Sequence, residues 1–272
     1  MNMTRSLVQI RGSQRSGFTL LEVLVVFTLT LLLASTIMPC FTGRHPKPQS
    51  ASCMNNLRQL MIAWLMYADE NRERLVACAE FQGRPNWCTG TIEYTANNPT
   101  NWDEKLDLTQ SPLFAYVRKA AVWRCPADTS TVLVGSNRMP RVRSVSMNHA
   151  FGSGEWLPAS AGYLTYAKLA DLTRPGPAKT FVFADEHPDS INDSAIAVQM
   201  SDGLGSTNSI VDYPASYHGG DCGYSFADGH VEIHKWLDPR TQPPIRGVSG
   251  LQGGICPNNM DVVWWSSHTS SK

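Results

Sequence analysis

In the stretch RSGFTLLEVLVVFTLTLLLAS, residues 15–35, apolar residues dominate from Phe18 onward, yet one acid, Glu22, stands in the fifth place of the run. From Phe18 to Met38 there are 21 residues with a single charge, and Pro39 ends the pattern. At 1.5 Å per residue a helix of this length measures roughly 31 Å, about the hydrocarbon thickness of a bilayer. A uniformly apolar, Leu- and Val-rich segment of that length is expected in a membrane rather than in a protein core. An ionised carboxylate there is unfavourable unless a cation is fixed beside it.

Working outward, the first seventeen residues hold Arg5, Arg11 and Arg15 and no acid. A basic leader before an apolar span predicts a cytoplasmic start and export of everything after Pro39. A secretory signal would have a shorter apolar core and a small-x-small cleavage site. A lipoprotein signal would need a small residue before its cysteine, whereas Pro39 precedes Cys40. Neither accounts for Glu22.

Gly17-Phe18-Thr19-Leu20-Leu21-Glu22, with the basic leader before it and the uninterrupted span after it, resembles the type IV prepilin processing site. The resemblance implies cleavage after Gly17 by a prepilin peptidase and methylation of the new N-terminus at Phe18 by the same enzyme. It also implies an inner-membrane, single-pass protein whose remaining chain lies in the periplasm or in an extracellular filament. Its partners would be other pilin-like subunits, further copies of itself and an inner-membrane assembly platform. Glu22 would stand one helical turn from the Phe18 amine. In a stack of parallel helices it would meet the amine of an incoming subunit and so set the register of assembly.

The chain has 272 residues, 42% hydrophobic and 17% charged, enough for a sizeable core in one or two domains. Net charge is zero, and outside the leader 20 basic residues face 23 acidic ones. There is no basic surplus outside the leader, so a nucleic-acid partner has no electrostatic support and none is expected. Beyond Cys40, six cysteines (Cys53, Cys78, Cys88, Cys125, Cys222 and Cys256) form an even set that an oxidising compartment could pair. Cys53 with Cys125 is the pair expected.

Pro39, Pro46 and Pro48 oppose a continuous helix, so a spine helix kinked or interrupted near Pro39–Pro48 is expected. Helical periodicity then returns, with Leu57, Leu60, Met61, Trp64, Leu65 and Ala68 on one stripe. Short strands are expected at Thr91–Thr95, Thr131–Val134, Val142–Met147, Thr180–Ala184 and Ala195–Gln199, and a short helix from Ser111-Pro112 to Ala120. The fold class is α+β, a spine helix packed on a mainly antiparallel sheet. The divisions are a leader (1–17), a transmembrane or filament-core helix (18–38), a Pro-containing connection (39–50), an exported domain (51–240) and a Gly/Pro-rich tail (241–272).

In YHGGDCGYSFADGHVEIHKW, residues 217–236, Asp228-Gly229 stands between two alternating runs, the chemistry of a tight type I′ hairpin. His218, nine residues, then Asp228-Gly229 resembles the His-x9-Asp-Gly signature of a broad group of prepilin-like proteins. Cys53-Met54-Asn55-Asn56-Leu57, Cys125-Pro126-Ala127-Asp128, Ser146-Met147-Asn148 and Ala184-Asp185-Glu186 agree with that group. The architecture implied is that of the pseudopilins of type II secretion.

Asp185-Glu186-His187-Pro188-Asp189 concentrates oxygen ligands and one imidazole, and His218 and Asp228 follow. As a metal set, Asp185, His187, His218 and Asp228 would take a structural Ca²⁺ or Zn²⁺. The alternative needs no cofactor: Asp228 serves the turn, and His218 hydrogen-bonds to it. No nucleophile motif, phosphate loop or zincin helix accompanies these residues, so a non-enzymatic filament subunit is expected. Its rivals are an anchored binding module that never polymerises and a membrane-anchored metal-dependent hydrolase.

Overall fold

The computed structural model describes residues 19–37, 48–78, 83–157 and 161–272. The chain forms two compact units, Met1–His45 and Pro46–Lys272. Gly17, Phe18 and the connection through Pro39 and Pro46 lie outside the described residues.

The first unit carries α1 (Leu20–Ile37). Its start is fixed by a reciprocal cap. Thr19 Oγ1 accepts from the Glu22 amide at 3.3 Å, while Glu22 Oε2 accepts from the Thr19 amide at 2.8 Å and its hydroxyl at 2.9 Å. This is the Thr-x-x-Glu capping box, which satisfies two amides that a helix N-terminus leaves open. Thr28 and Thr30 turn their hydroxyls onto carbonyls of the preceding turn, Val25 and Phe27 at 2.9 and 2.8 Å. Both thereby present little polarity to an apolar surrounding. Leu20, Leu24, Phe27 and Leu32 are all exposed. Among the described residues no helix is long and apolar enough to cross a membrane. α1 has 18 residues, and both ends of the expected 18–38 span lie outside the described residues.

The second unit opens with α2 (Pro48–Glu70), which places Pro48 at the start of the helix, where a missing amide costs nothing. Cys53, Leu57, Leu60, Met61, Trp64 and Ala68 form its buried stripe, and Arg58 and Asp69 face solvent. A four-residue helix, α3 (Phe114–Val117), follows in place of the longer one expected to Ala120. Arg118 closes it in the left-handed region at φ 53°.

The strands are β1 (Thr131–Val134), β2 (Asn137–Pro140), β3 (Val145–Asn148), β4 (Phe181–Asp185), β5 (Ala195–Ile196), β6 (Asp221–Phe226) and β7 (Val231–Lys235). β1 and β2 make a separate hairpin. The others form one sheet in the order β5-β3-β4-β6-β7, antiparallel except for the β3–β5 pair. The fold is α+β. No strand forms at Thr91–Thr95; Ile92 there is buried and its amide donates to Asn192 O at 2.8 Å.

The sheet has a core on each face. α2 covers one, with Trp64, Trp123, Phe151, Val182 and Phe183. The other holds Phe181, Ala184, Tyr224, Phe226 and Trp236. Val182 and Phe183 are neighbours yet share a core because the β4–β6 register shifts between Phe181 and Phe183, a bulge that resets the alternation. The 241–272 segment, expected as a tail, belongs to the same compact unit. Within it α4 (Met260–Ser267), capped by Asn259 Oδ1, brings Val262 and Trp265 into the second core.

Candidate functional site

Four buried side chains from distant parts of the chain converge where the start of α2 meets β4. Cys53 comes from the first turns of α2, Asp185 ends β4, Cys125 follows the Ala120–Trp123 turn, and His218 precedes β6. One ligand atom from each, two Sγ, a carboxylate oxygen and an imidazole nitrogen, lies within 4.8 Å of all the others. Cys53 Sγ donates to Asp185 Oδ2 at 2.9 Å, and Cys125 Sγ is 3.4 Å from His218 Nε2. Cys53, Cys125 and Asp185 are at most 1% exposed and His218 is 6% exposed.

The surroundings hold these groups in place. Ser144 Oγ accepts from the Cys125 amide at 2.8 Å and donates to Asp185 Oδ1 at 3.4 Å. The Ala127 amide donates to Cys125 Sγ at 3.4 Å. Asn56, three residues after Cys53, donates to Arg124 O at 3.0 Å and so ties α2 to the Cys125 loop. Arg124 pairs with Asp128 at 3.2 Å, and Asp128 caps Ser130, which stiffens Cys125-Pro126-Ala127-Asp128. On the sheet side, β6 passes this point as Gly223. Cys125 also lines a groove of about 840 Å³ bordered by Asn55, Asn56, Trp102 and Arg124.

Burial pushes the Asp185 carboxyl up to about 7. The Cys53 thiol is raised by its hydrogen bond with Cys125, by burial and by the Asp185 charge. For Cys125 the bond with Cys53 acts downward, but burial and the Asp185 charge outweigh it and the thiol is raised. Without a counter-charge the cluster therefore favours its protonated forms.

Asp185 and His218 of the expected metal set are brought together; His187 and Asp228 are elsewhere. His187 Nδ1 accepts from the Asp189 amide at 3.2 Å and its Nε2 lies 3.1 Å from Pro243 O, so both nitrogens face backbone. Asp189 takes the amides of Arg246 and Gly247 at 2.6 and 3.1 Å, which anchors the C-terminal segment.

The expected His218–Asp228 bond is corrected by the hairpin itself. The His218 amide donates to Asp221 O at the start of β6, whereas Asp228 lies past its far end. Six strand residues at about 3.3 Å each hold the two roughly 20 Å apart. Asp228 Oδ1 takes His230 instead, its amide at 3.1 Å and its Nδ1 at 2.6 Å. The turn also differs from type I′, which needs positive φ at both central residues. Only Gly229 has it, at 96°, and Gly229 N donates to Phe226 O while Phe226 N donates to His230 O. This is a three-residue loop in which the Asp228 side chain does the bracing.

The expected Cys53–Cys125 disulfide is not formed. Cys53 and Cys125 are both thiols, although they are adjacent. The sequence reading joined these two cysteines as a disulfide and did not place them beside Asp185 and His218. The signal was present, since Cys53-Met54-Asn55-Asn56-Leu57, Cys125-Pro126-Ala127-Asp128, Ala184-Asp185-Glu186 and the His218 segment all stood out in the sequence without being joined into one set.

Comparison with known families matches residues 12–38 to the prokaryotic N-terminal methylation motif. That supports a prepilin-like protein, and it suggests membrane anchoring and a structural subunit rather than an enzyme. It also implies processing by prepilin peptidase and association with other pilin subunits. Neither characterised proteins nor solved structures give a match.

Proposed function

We propose that this chain is a prepilin-like subunit, cut between Gly17 and Phe18, methylated on Phe18 and anchored in the inner membrane by its apolar segment. Its Pro46–Lys272 unit is exported and assembles, with itself and other pilin-like subunits, on an inner-membrane platform into a pseudopilus or type IV pilus-like filament of the type II secretion kind. The observation that carries this is the methylation motif over residues 12–38, ending in a helix whose apolar side chains from Leu20 to Leu32 are exposed and whose Thr28 and Thr30 hydroxyls are internally satisfied. A helix of that kind needs lipid or other helices around it. Mass spectrometry of the protein from its native membrane tests the proposal. The expected N-terminus is methylated Phe18; an intact leader, or a cut after Ala34 or Ser35, sinks it.

A further inference from the structure

We infer that Cys53, Cys125, Asp185 and His218 hold one Zn²⁺ in a closed, structural four-ligand site. The inference is independent of filament assembly.

Two thiolates, an imidazole and a carboxylate are borderline-soft donors that suit zinc, whereas Ca²⁺ takes six or more oxygens. With zinc bonds of about 2.0–2.3 Å, a tetrahedron has ligand-to-ligand edges of roughly 3.3–3.8 Å. The Cys125–His218 separation of 3.4 Å is such an edge, and the Cys53–Asp185 separation of 2.9 Å needs only a small opening. Four protein ligands leave no position for water, which separates a structural centre from a catalytic one.

The outer contacts are those a zinc–thiolate centre uses. Ser144 orients the Asp185 carboxylate, and the Ala127 amide points at the Cys125 sulfur. The groove beside Cys125 gives the ion a route in. Binding displaces the protons that the buried ligand atoms hold and brings in a positive charge. The result ties the start of α2, the Cys125 loop, β4 and the entry to β6, with Cys53 and Asp185 alone 132 residues apart.

The test is elemental analysis of the full-length protein, extracted in detergent from its native membrane without chelator. About one equivalent of zinc per chain is expected, with Cys53 and Cys125 both alkylatable after denaturation without reductant. Cys53→Ser and His218→Gln should fall below about a fifth of an equivalent, while Cys256→Ser, outside the cluster, keeps the full amount. Because ligand variants can fail to fold, the wild-type protein supplies a second measurement. Stripping with chelator and adding Co²⁺ should give the intense visible bands of a tetrahedral site and thiolate-to-cobalt charge transfer. Stripping alone should lower the melting temperature by about 10 °C or more. A Cys53–Cys125 disulfide in the native protein overturns the inference. So does a reduced protein that takes up neither Zn²⁺ nor Co²⁺, or a cobalt spectrum without the thiolate bands.

Discussion

Cys53 Sγ and Asp185 Oδ2 lie 2.9 Å apart, joining the first turns of α2 to the last residue of β4 across 132 positions of sequence. Helix and sheet approach this closely here because the third element at the contact, β6, presents no side chain. A Cβ on Gly223 would stand 2.8 Å from Leu57 Cδ1, 2.9 Å from Asp185 Oδ2 and 2.9 Å from Cys53 Sγ. The glycine is a matter of space, not of backbone conformation.

Gly223→Ala should therefore destabilise the second unit by about 1–3 kcal/mol, the usual cost of overpacking a filled core. All three crowded atoms belong to buried side chains, so none can swing into solvent. Urea unfolding of the full-length protein in detergent measures it, with Gly254→Ala as control, since a Cβ there meets nothing within 4 Å. Equal midpoints for the two variants would show that α2 can retreat from the sheet without cost.

How much of this was legible beforehand differs by element. α2 could be read because its stripe recurs at helical spacing and nearly every member is buried. The β6–β7 hairpin could be read from its alternation, but not its turn type, because Asp228 braces the loop through its side chain rather than through positive φ. The role of α4 was hidden: its aromatic residues follow a stretch of glycines and prolines, and nothing local says that Trp265 fills the far face of the sheet. Of the expected metal set, Asp185 and His218 do come together, but Asp228 entered on proximity in sequence, which a strand undoes within six residues.

One pair of variants separates the capping role of Glu22 from the register role proposed for it. The capping box gives it a structural role within its own chain, and filament register would give it a second role between chains. Glu22→Gln keeps an oxygen able to accept from the Thr19 amide and removes the charge. Thr19→Val removes the capping hydroxyl and keeps the charge. We expect Glu22→Gln to insert and be cleaved normally but to co-assemble poorly, and Thr19→Val to assemble nearly as wild type. Quantifying filament-associated subunit after shearing decides it. Should the order be reversed, capping is the reason for the acid and charge pairing is not.

His149 sets a separate pH dependence. It is 4% exposed, on the turn after β3, and burial depresses its imidazole to about 4, partly offset by contact with Ile196 O at 3.1 Å. In the unfolded chain an imidazole titrates near 6.5. Below that pH the unfolded state takes up a proton that the folded state refuses, so stability is full above about 6.5 and is lost as pH falls toward 4. The slope from this one residue is about 1.4 kcal/mol per pH unit, roughly 3 kcal/mol in all. Asp212, raised to about 7 by burial, acts with the opposite sign, losing stability as pH rises from about 4 toward 7. The raw pH profile therefore mixes the two, and the difference from His149→Asn isolates the histidine. Asparagine can still accept from the Val198 amide, which donates to His149 Nδ1 at 3.2 Å. Between about pH 4.5 and 6 the wild-type unfolding free energy should fall more steeply with acid than the variant's, by close to one proton. Parallel curves over that range would mean that His149 is protonated in the folded protein.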